Sequence, residues 1–269
     1  MSICLVNGEP SEAVSVMDRG LQYGDGLFET VAVLDGRPRF IERHLSRLRC
    51  GCERLGVPAP DPERVAGEVT RVAGSGRAVV KIILTRGEGG RGYRPAGDAR
   101  VTRICRRFDW PVHERPWHDV GVEVRWCLTR LALQPLLAGL KHLNRLEQVL
   151  ARAEWDDQQV PEGLMMDAEG CVVSGTQSNL FVIRGGELQT PAIDRCGVAG
   201  VVRDAVIDAA RREGVAVREC RLGVQDVLAA DELFLTSAVI GVWPVVALAT
   251  QNWAIGPLTR RAGEWVARC

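Results

Sequence analysis

Leu136-Leu137-Ala138-Gly139-Leu140-Lys141-His142-Leu143-Asn144-Arg145-Leu146 sets one lysine between an apolar run and the start of a helical pattern. A lysine at such an edge is partly desolvated, which lowers its pKa and makes the neutral, nucleophilic amine available. The alternative is a lysine capping the surface end of a strand. Of the 34 lysine and arginine residues, only Lys81 and Lys141 are lysine. Where a generic surface cation suffices this chain uses arginine, so a lysine that remains is a candidate for lysine-specific chemistry. Lys81 alternates inside the β-branched run Ala78 to Leu84 and can equally be that strand's solvent-facing residue, a structural role being the better reading.

On either side of Lys141, strand and helix signals follow one another. Ile3 to Val6 and Leu27 to Leu34 read as strands that turn at Asn7-Gly8 and Asp35-Gly36. Phe40 to Leu55 carries Ile41, Leu45, Leu48 and Cys52 near the helical period and stops before Gly56. Asp61-Pro62 opens another helix. A proline-marked stretch from Asp109 to Pro116 is the linker candidate. Beyond it come a strand near Val122 to Cys127, a helix from about Asn144 to Trp155, and strands near 162–167 and 178–184. Gly200 to Glu213 reads as a helix, Val215 to Arg218 as a short strand, 224–229 as a short helix and Glu232 to Val246 as strand. The pattern implies a mixed α/β (α+β) fold in two lobes, a smaller one at 1–115 and a larger one at 116–269.

Composition narrows the function. The 269 residues carry 34 acidic groups against 34 basic ones, so no global field draws in nucleic acid or an anionic membrane. The uncharged stretch Leu235 to Thr259 contains Gly241 and Pro244, and its strongly apolar part is too short for a span of roughly 20 residues. A buried strand pair, or a strand and turn, fits it better. The nine cysteines include no C-x-x-C pair, and with four histidines there is no zinc-binding spacing. Reduced thiols in a cytoplasm, with no secretory signal in the first residues, are the expectation.

Gly87-Glu88-Gly89-Gly90-Arg91-Gly92 satisfies G-x-G-x-x-G, but Tyr93-Arg94-Pro95 follows where a dinucleotide fold needs a helix. A hairpin loop is the better reading, and Arg91 and Tyr93 on it are candidates for contacting a ligand. Arg47 follows His44 on one helix flank and can bind a phosphate bidentately, although most such arginines are solvated. Gly197 to Arg203 leads into a helix whose first amides, at Val201 and Val202, favour an anion. Thr236-Ser237 adds hydroxyls at the end of a strand.

Taken together and in this order, these segments resemble the fold-type IV pyridoxal-phosphate enzymes, which include branched-chain and D-amino acid aminotransferases. The likeness begins at Asp18-Arg19-Gly20-Leu21-Gln22-Tyr23-Gly24-Asp25-Gly26-Leu27-Phe28-Glu29-Thr30. It continues through Arg47, Lys141, Asn179-Leu180-Phe181, Gly200-Val201-Val202-Arg203 and Thr236-Ser237-Ala238. Within that group, Lys141 to Arg152 and Arg86 to Tyr93 are most similar to the 4-amino-4-deoxychorismate lyases. The resemblance implies pyridoxal 5'-phosphate as cofactor, bound covalently through Lys141, which then acts as acid and base. It implies Arg47, Val201, Val202 and Ser237 as holders of the phosphate, Asn179 as a further cofactor contact, and Thr30 as an aid to proton transfer. It also implies a homodimer acting on a small molecule, aminodeoxychorismate, to yield 4-aminobenzoate and pyruvate. An aminotransferase, or a non-catalytic binding protein on the same scaffold, are the alternatives. One departure stands out: the family usually places a glutamate against the pyridine nitrogen five residues before Asn179, and here that position is Ser174. A hydroxyl holds a protonated ring nitrogen less firmly than a carboxylate, so a weaker electron sink is expected.

Overall fold

The computed structural model describes residues 4–95, 97, 100–112 and 115–269. Ile3 of the first expected strand, and His113 and Glu114 of the expected linker, lie outside the described residues. The chain divides into two compact units, Met1–Pro111 with Leu140–Asn144, and Val112–Gly139 with Arg145–Cys269.

The first unit is built from β1 (Cys4–Val6), β2 (Glu9–Pro10), α1 (Arg19–Tyr23), β3 (Gly26–Leu34), β4 (Arg37–Pro38), α2 (Ile41–Leu55), α3 (Pro62–Ala73), β5 (Ala78–Thr85) and β6 (Thr102–Phe108). Its strands form one antiparallel sheet in the order β2-β1-β6-β5-β3-β4. The helix α2 turns Leu45, Leu48 and Cys52 inward and ends where Gly56 takes φ +60°, a conformation glycine reaches without a Cβ penalty. Asp61 caps α3 by accepting from Glu63 N, with Pro62 in the first turn. The short helix α1, which carries no apolar period long enough to detect in the sequence, is capped by Asp18 and closed by Gly24.

The division falls after Pro111 where the sequence suggests 115, and it also returns one later segment to the first unit. Leu140–Asn144 belongs with the first unit because its backbone pairs with the start of β3. Phe28 N donates to Lys141 O at 2.9 Å and Leu143 N to Gly26 O at 3.0 Å, and Leu27 faces His142. The Asn144 side-chain amide adds a bond to Gly24 O at 3.1 Å. A return of five residues from a distant part of the chain leaves no compositional trace.

The second unit holds α4 (Trp117–Val120), β7 (Val122–Trp126), α5 (Leu146–Arg152), β8 (Glu162–Met166), β9 (Val172–Gly175), β10 (Asn179–Arg184), β11 (Glu187–Pro191), α6 (Val201–Arg212), β12 (Val217–Cys220), α7 (Val224–Leu228), β13 (Glu232–Ser237), β14 (Gly241–Leu248), β15 (Gln251–Asn252) and α8 (Pro257–Arg268). Its sheet runs β12-β11-β10-β13-β14-β7-β8-β9, and β9 also pairs with β10, so the strands from β10 round to β9 close into a ring. The pair that closes it is Asn179 opposite Ser174. Leu180, Val182, Leu233, Leu235, Trp243 and Val245 fill the core. Phe181 and Phe234 stack at 4.8 Å.

The uncharged stretch from Leu235 onward is the strand pair β13 and β14 with a turn between them. Glu232 to Val246 is therefore two strands rather than one, because Gly241 at φ +61° reverses the chain. The helix expected from Asn144 to Trp155 spans only Leu146–Arg152; Asn144 is committed to Gly24, and the Trp155 indole donates to Val160 O beyond the helix. No helix among the described residues is long and apolar enough to cross a membrane, and all nine cysteines are free.

Candidate active site

In the first unit, Lys141 Nζ lies 4.3 Å from the centroid of the Phe28 ring. Lys81 Nζ lies 5.0 Å from the same ring. Thr30 is two residues on from Phe28 along β3, and therefore on the same face. It sits directly across from Lys81 of β5. The chain's two lysines, separated by sixty positions of sequence, thus converge on one aromatic ring beside the expected threonine. Lys81 is half-buried, so its side chain is only partly open to water.

Next along β3, Glu29 points to the opposite face and is almost completely buried. It accepts from Arg47 Nε at 2.8 Å and from an Arg47 terminal nitrogen at 2.5 Å, a bidentate pair. His44, fully buried, places Nδ1 2.6 Å from the same carboxylate. Burial pushes the Glu29 pKa up, but the charge and hydrogen bond of Arg47, with the hydrogen bond of His44, outweigh it and hold the group at about 2. Arg47 is therefore not a solvated surface cation; an anionic carboxylate fixes one edge of its guanidinium. Helical spacing sets Arg47 and His44 on one flank of α2, whereas nothing local in the sequence marks Glu29 of β3 as their shared partner.

The glycine-rich loop after β5 contains no helix among its described residues, so the hairpin reading stands. It is tied to α1. Arg19 donates from Nε to Asp25 at 2.8 Å and from its terminal nitrogens to Gly92 O and Tyr93 O, each at 3.0 Å. Gly92 N donates to the Tyr23 hydroxyl at 3.2 Å, and the rings of Tyr23 and Tyr93 meet edge to face at 5.5 Å. A Cβ at Gly89 would stand 2.7 Å from the Arg19 stem, so the motif makes room for an arginine and not for a pyrophosphate. Arg86 joins the clamp from the other side, binding Asp25 at 2.8 Å and the carbonyls that end α2. Burial would raise the Asp25 carboxyl, but Arg86 and Arg19 together hold it below its ordinary value. Arg91 is exposed, and Tyr93 is 85% exposed, on this held loop.

In the second unit, Ser174, Asn179 and Thr236 lie side by side across neighbouring strands. Asn179 donates to Val198 O at 2.9 Å, so it fixes the loop that enters α6. A Cβ at Gly200 would fall 2.0 Å from Asn179 Oδ1, which explains glycine at the helix cap. No side chain caps α6. The amides of its first turn, including Val201 and Val202, have no partners within the helix and carry its positive dipole end. Beside α6 on β13, Thr236 Oγ1 is buried without a hydrogen-bond partner, and Ser237 Oγ receives only a long bond, 3.5 Å, from Ile240 N. Uncapped amides, a spare hydroxyl and an orphaned buried one fit a phosphate group.

Ser174 donates to Gly175 O at 2.8 Å. The carboxylate of this region is Glu162, fully buried on β8. It accepts from Gly163 N, from the amide and hydroxyl of Thr176, from Gln177 N and from Ser178 Oγ. Glu162 therefore builds the turn before Asn179 and has its lone pairs committed there, a residue that the motif reading passed over. A groove of about 340 Å³ beside Trp117, Glu123 and Val246 includes none of these residues. Burial pushes the Cys127 thiol up to about 12 and Cys196 to about 11, which makes both poor nucleophiles.

The geometry so described belongs to a chain with known relatives. Aminodeoxychorismate lyase of Vibrio harveyi is 36% identical over 261 residues, covering 95% of this chain and 96% of that protein. A putative branched-chain-amino-acid aminotransferase of Methanocaldococcus jannaschii is 32% identical over 265 residues, covering 95% and 91%. The crystal structure of 4-amino-4-deoxychorismate lyase from Pseudomonas aeruginosa is similar at a TM-score of 0.94 and 46% identity, covering 99% of this chain and 98% of that one. Residues 26–248 match the model of the amino-transferase class IV family, and the chain belongs to that family.

Proposed function

We propose that this protein is a pyridoxal-phosphate-dependent lyase that converts 4-amino-4-deoxychorismate to 4-aminobenzoate and pyruvate. The observation that carries the proposal is the convergence of Lys141, Phe28 and Thr30 in a chain 46% identical to a lyase of that name. Lys141 holds the cofactor through its ε-amine. The α6 amides at Val201 and Val202, with Ser237 and Arg47, hold the phosphate, and Asn179 keeps the α6 entry loop in place for it. Phosphate anchoring matters because the substrate's own amine must displace Lys141 without freeing the cofactor.

When bound, pyridoxal phosphate supplies a sink for the electron pair left at the substrate carbon bearing the amine. The released Lys141 amine removes the proton from ring C4, and Thr30 assists that transfer. The C3–O bond then breaks, the ring becomes aromatic, and the departing enolpyruvate takes up a proton to give pyruvate. Arg91 and Tyr93 meet the substrate's carboxylates from the loop held by Arg19 and Tyr23. The face of α5 that exposes Leu146, Val149 and Leu150 is where a second copy docks to form a homodimer. We place the protein in a cytoplasm, where its nine thiols stay reduced.

A second reading, an aminotransferase, is favoured by the 32% identity to the archaeal relative. Ser174 argues against it, because transamination gains no aromatic ring to offset a weak electron sink. The test supplies aminodeoxychorismate and measures 4-aminobenzoate, with Lys141→Ala as control. Product from the native protein and none from the variant is expected. Amine transfer to a keto acid without 4-aminobenzoate would favour the second reading.

A further inference from the structure

We propose that Lys81 is a second cation of the active site and binds a carboxylate of the substrate beside Lys141. The proposal deepens the lyase reading and rests on it for the identity of the substrate.

Lys81 is half-buried, with its ammonium 5.0 Å from the Phe28 ring, yet among the described residues it has no carboxylate partner. The buried arginines of the same unit are paired, Arg19 and Arg86 with Asp25 and Arg103 with Glu68, as is the partly buried Arg47 with Glu29. A partly desolvated charge left unpaired beside matched ones is a feature of a site completed by its ligand. The ring face is a modest substitute for a counter-ion, contributing about 0.5–1 kcal/mol where water still reaches.

The chemistry of the residue type points the same way. A structural cation at this place in the sheet needs only positive charge, and this chain uses arginine for that almost everywhere. Lys81 lies directly across from Thr30 and shares the Phe28 ring with Lys141. The carbon that Lys141 deprotonates in aminodeoxychorismate is adjacent to the carbon bearing the enolpyruvyl ether, whose carboxylate lies a few bonds away. A second compact ammonium near the same Phe28 ring suits that anion. It would hold the leaving group while the C3–O bond breaks, and it distinguishes a dicarboxylate substrate from a simple amino acid.

The experiment compares Lys81→Met and Lys81→Arg with the native holoenzyme. It uses two probes: aminodeoxychorismate turnover, and inhibition by chorismate, which carries both carboxylates but no amine to engage the cofactor. One charge-assisted contact at a half-exposed site corresponds to about ten-fold in binding. Lys81→Met is expected to raise both KM and the chorismate inhibition constant by about that factor, with a much smaller fall in kcat. Lys81→Arg should recover most of the loss, and both variants should retain the visible absorbance of bound cofactor. Unchanged KM and inhibition constant in Lys81→Met would overturn the proposal, as would loss of cofactor absorbance with unchanged chorismate inhibition. Failure of the native enzyme to form 4-aminobenzoate would instead overturn the lyase reading, so the two failures are distinct.

Discussion

Glu29 shows how one residue sets the chemistry of its neighbours. Its carboxylate, buried between Arg47 and His44, has a folded pKa of about 2 against an ordinary 4.5. A depressed carboxylate pKa contributes stability that is present above the unfolded value and lost as pH falls towards the folded one, here a window from about 4.5 down to about 2. Glu29→Gln removes the buried anion that pairs with Arg47, and breaking a buried pair in this way typically costs about 3–5 kcal/mol. Urea unfolding of both proteins at neutral pH should show that gap, and repeating it towards pH 2 should show it closing. A gap that stays constant across the range would contradict the assignment. Ser174 allows a second prediction at this scale. Ser174→Glu puts a carboxylate where the hydroxyl now bonds Gly175 O, and should shift the visible spectrum of bound cofactor and raise amine transfer relative to lyase turnover. An unchanged spectrum and unchanged product ratio would refute the electronic role.

Elements bring these residues to their places, and here the sequence was readable only in part. Long periodic segments such as α2, α3 and α6 show themselves through apolar spacing, helped by Gly56 after α2 and Asp61-Pro62 before α3, and the charge-free run at Leu235 reads as sheet. The positions of Lys141 and Arg47 were legible because scarcity and helical spacing are local properties. Glu162 and Lys81 were not, since their roles depend on strand neighbours distant in sequence, and pairing register leaves no mark on either strand alone. The short elements α1, β9 and β11 were missed for a related reason: too few residues carry a period. The entry to α6 gives the prediction at this scale. Gly200→Ala drives a methyl into Asn179 Oδ1, 2.0 Å away, and displaces the amides offered to phosphate. A helix N-terminus contributes typically about 0.3–1 kcal/mol to a bound anion and up to about 2 where partly buried, so cofactor affinity, titrated by visible absorbance, should fall by about two-fold to ten-fold. Native affinity in that variant would contradict the role given to α6.

At the scale of the whole molecule, the proposed homodimer is open to a direct test. Leu150, 61% exposed on the face of α5 that also exposes Leu146 and Val149, is the place to probe the pairing. Leu150→Glu buries a charge in the proposed interface, so light scattering should report the mass of one chain where the native protein gives two. A native protein that is already a single chain would contradict the pairing. The central claim is narrower, that one of two scarce lysines bonds covalently to the cofactor's aldehyde carbon. Borohydride reduction of the cofactor-loaded protein, followed by peptide mapping, decides it. The pyridoxyl label should appear on Lys141 alone, and a label on Lys81, or none on either, would contradict the account.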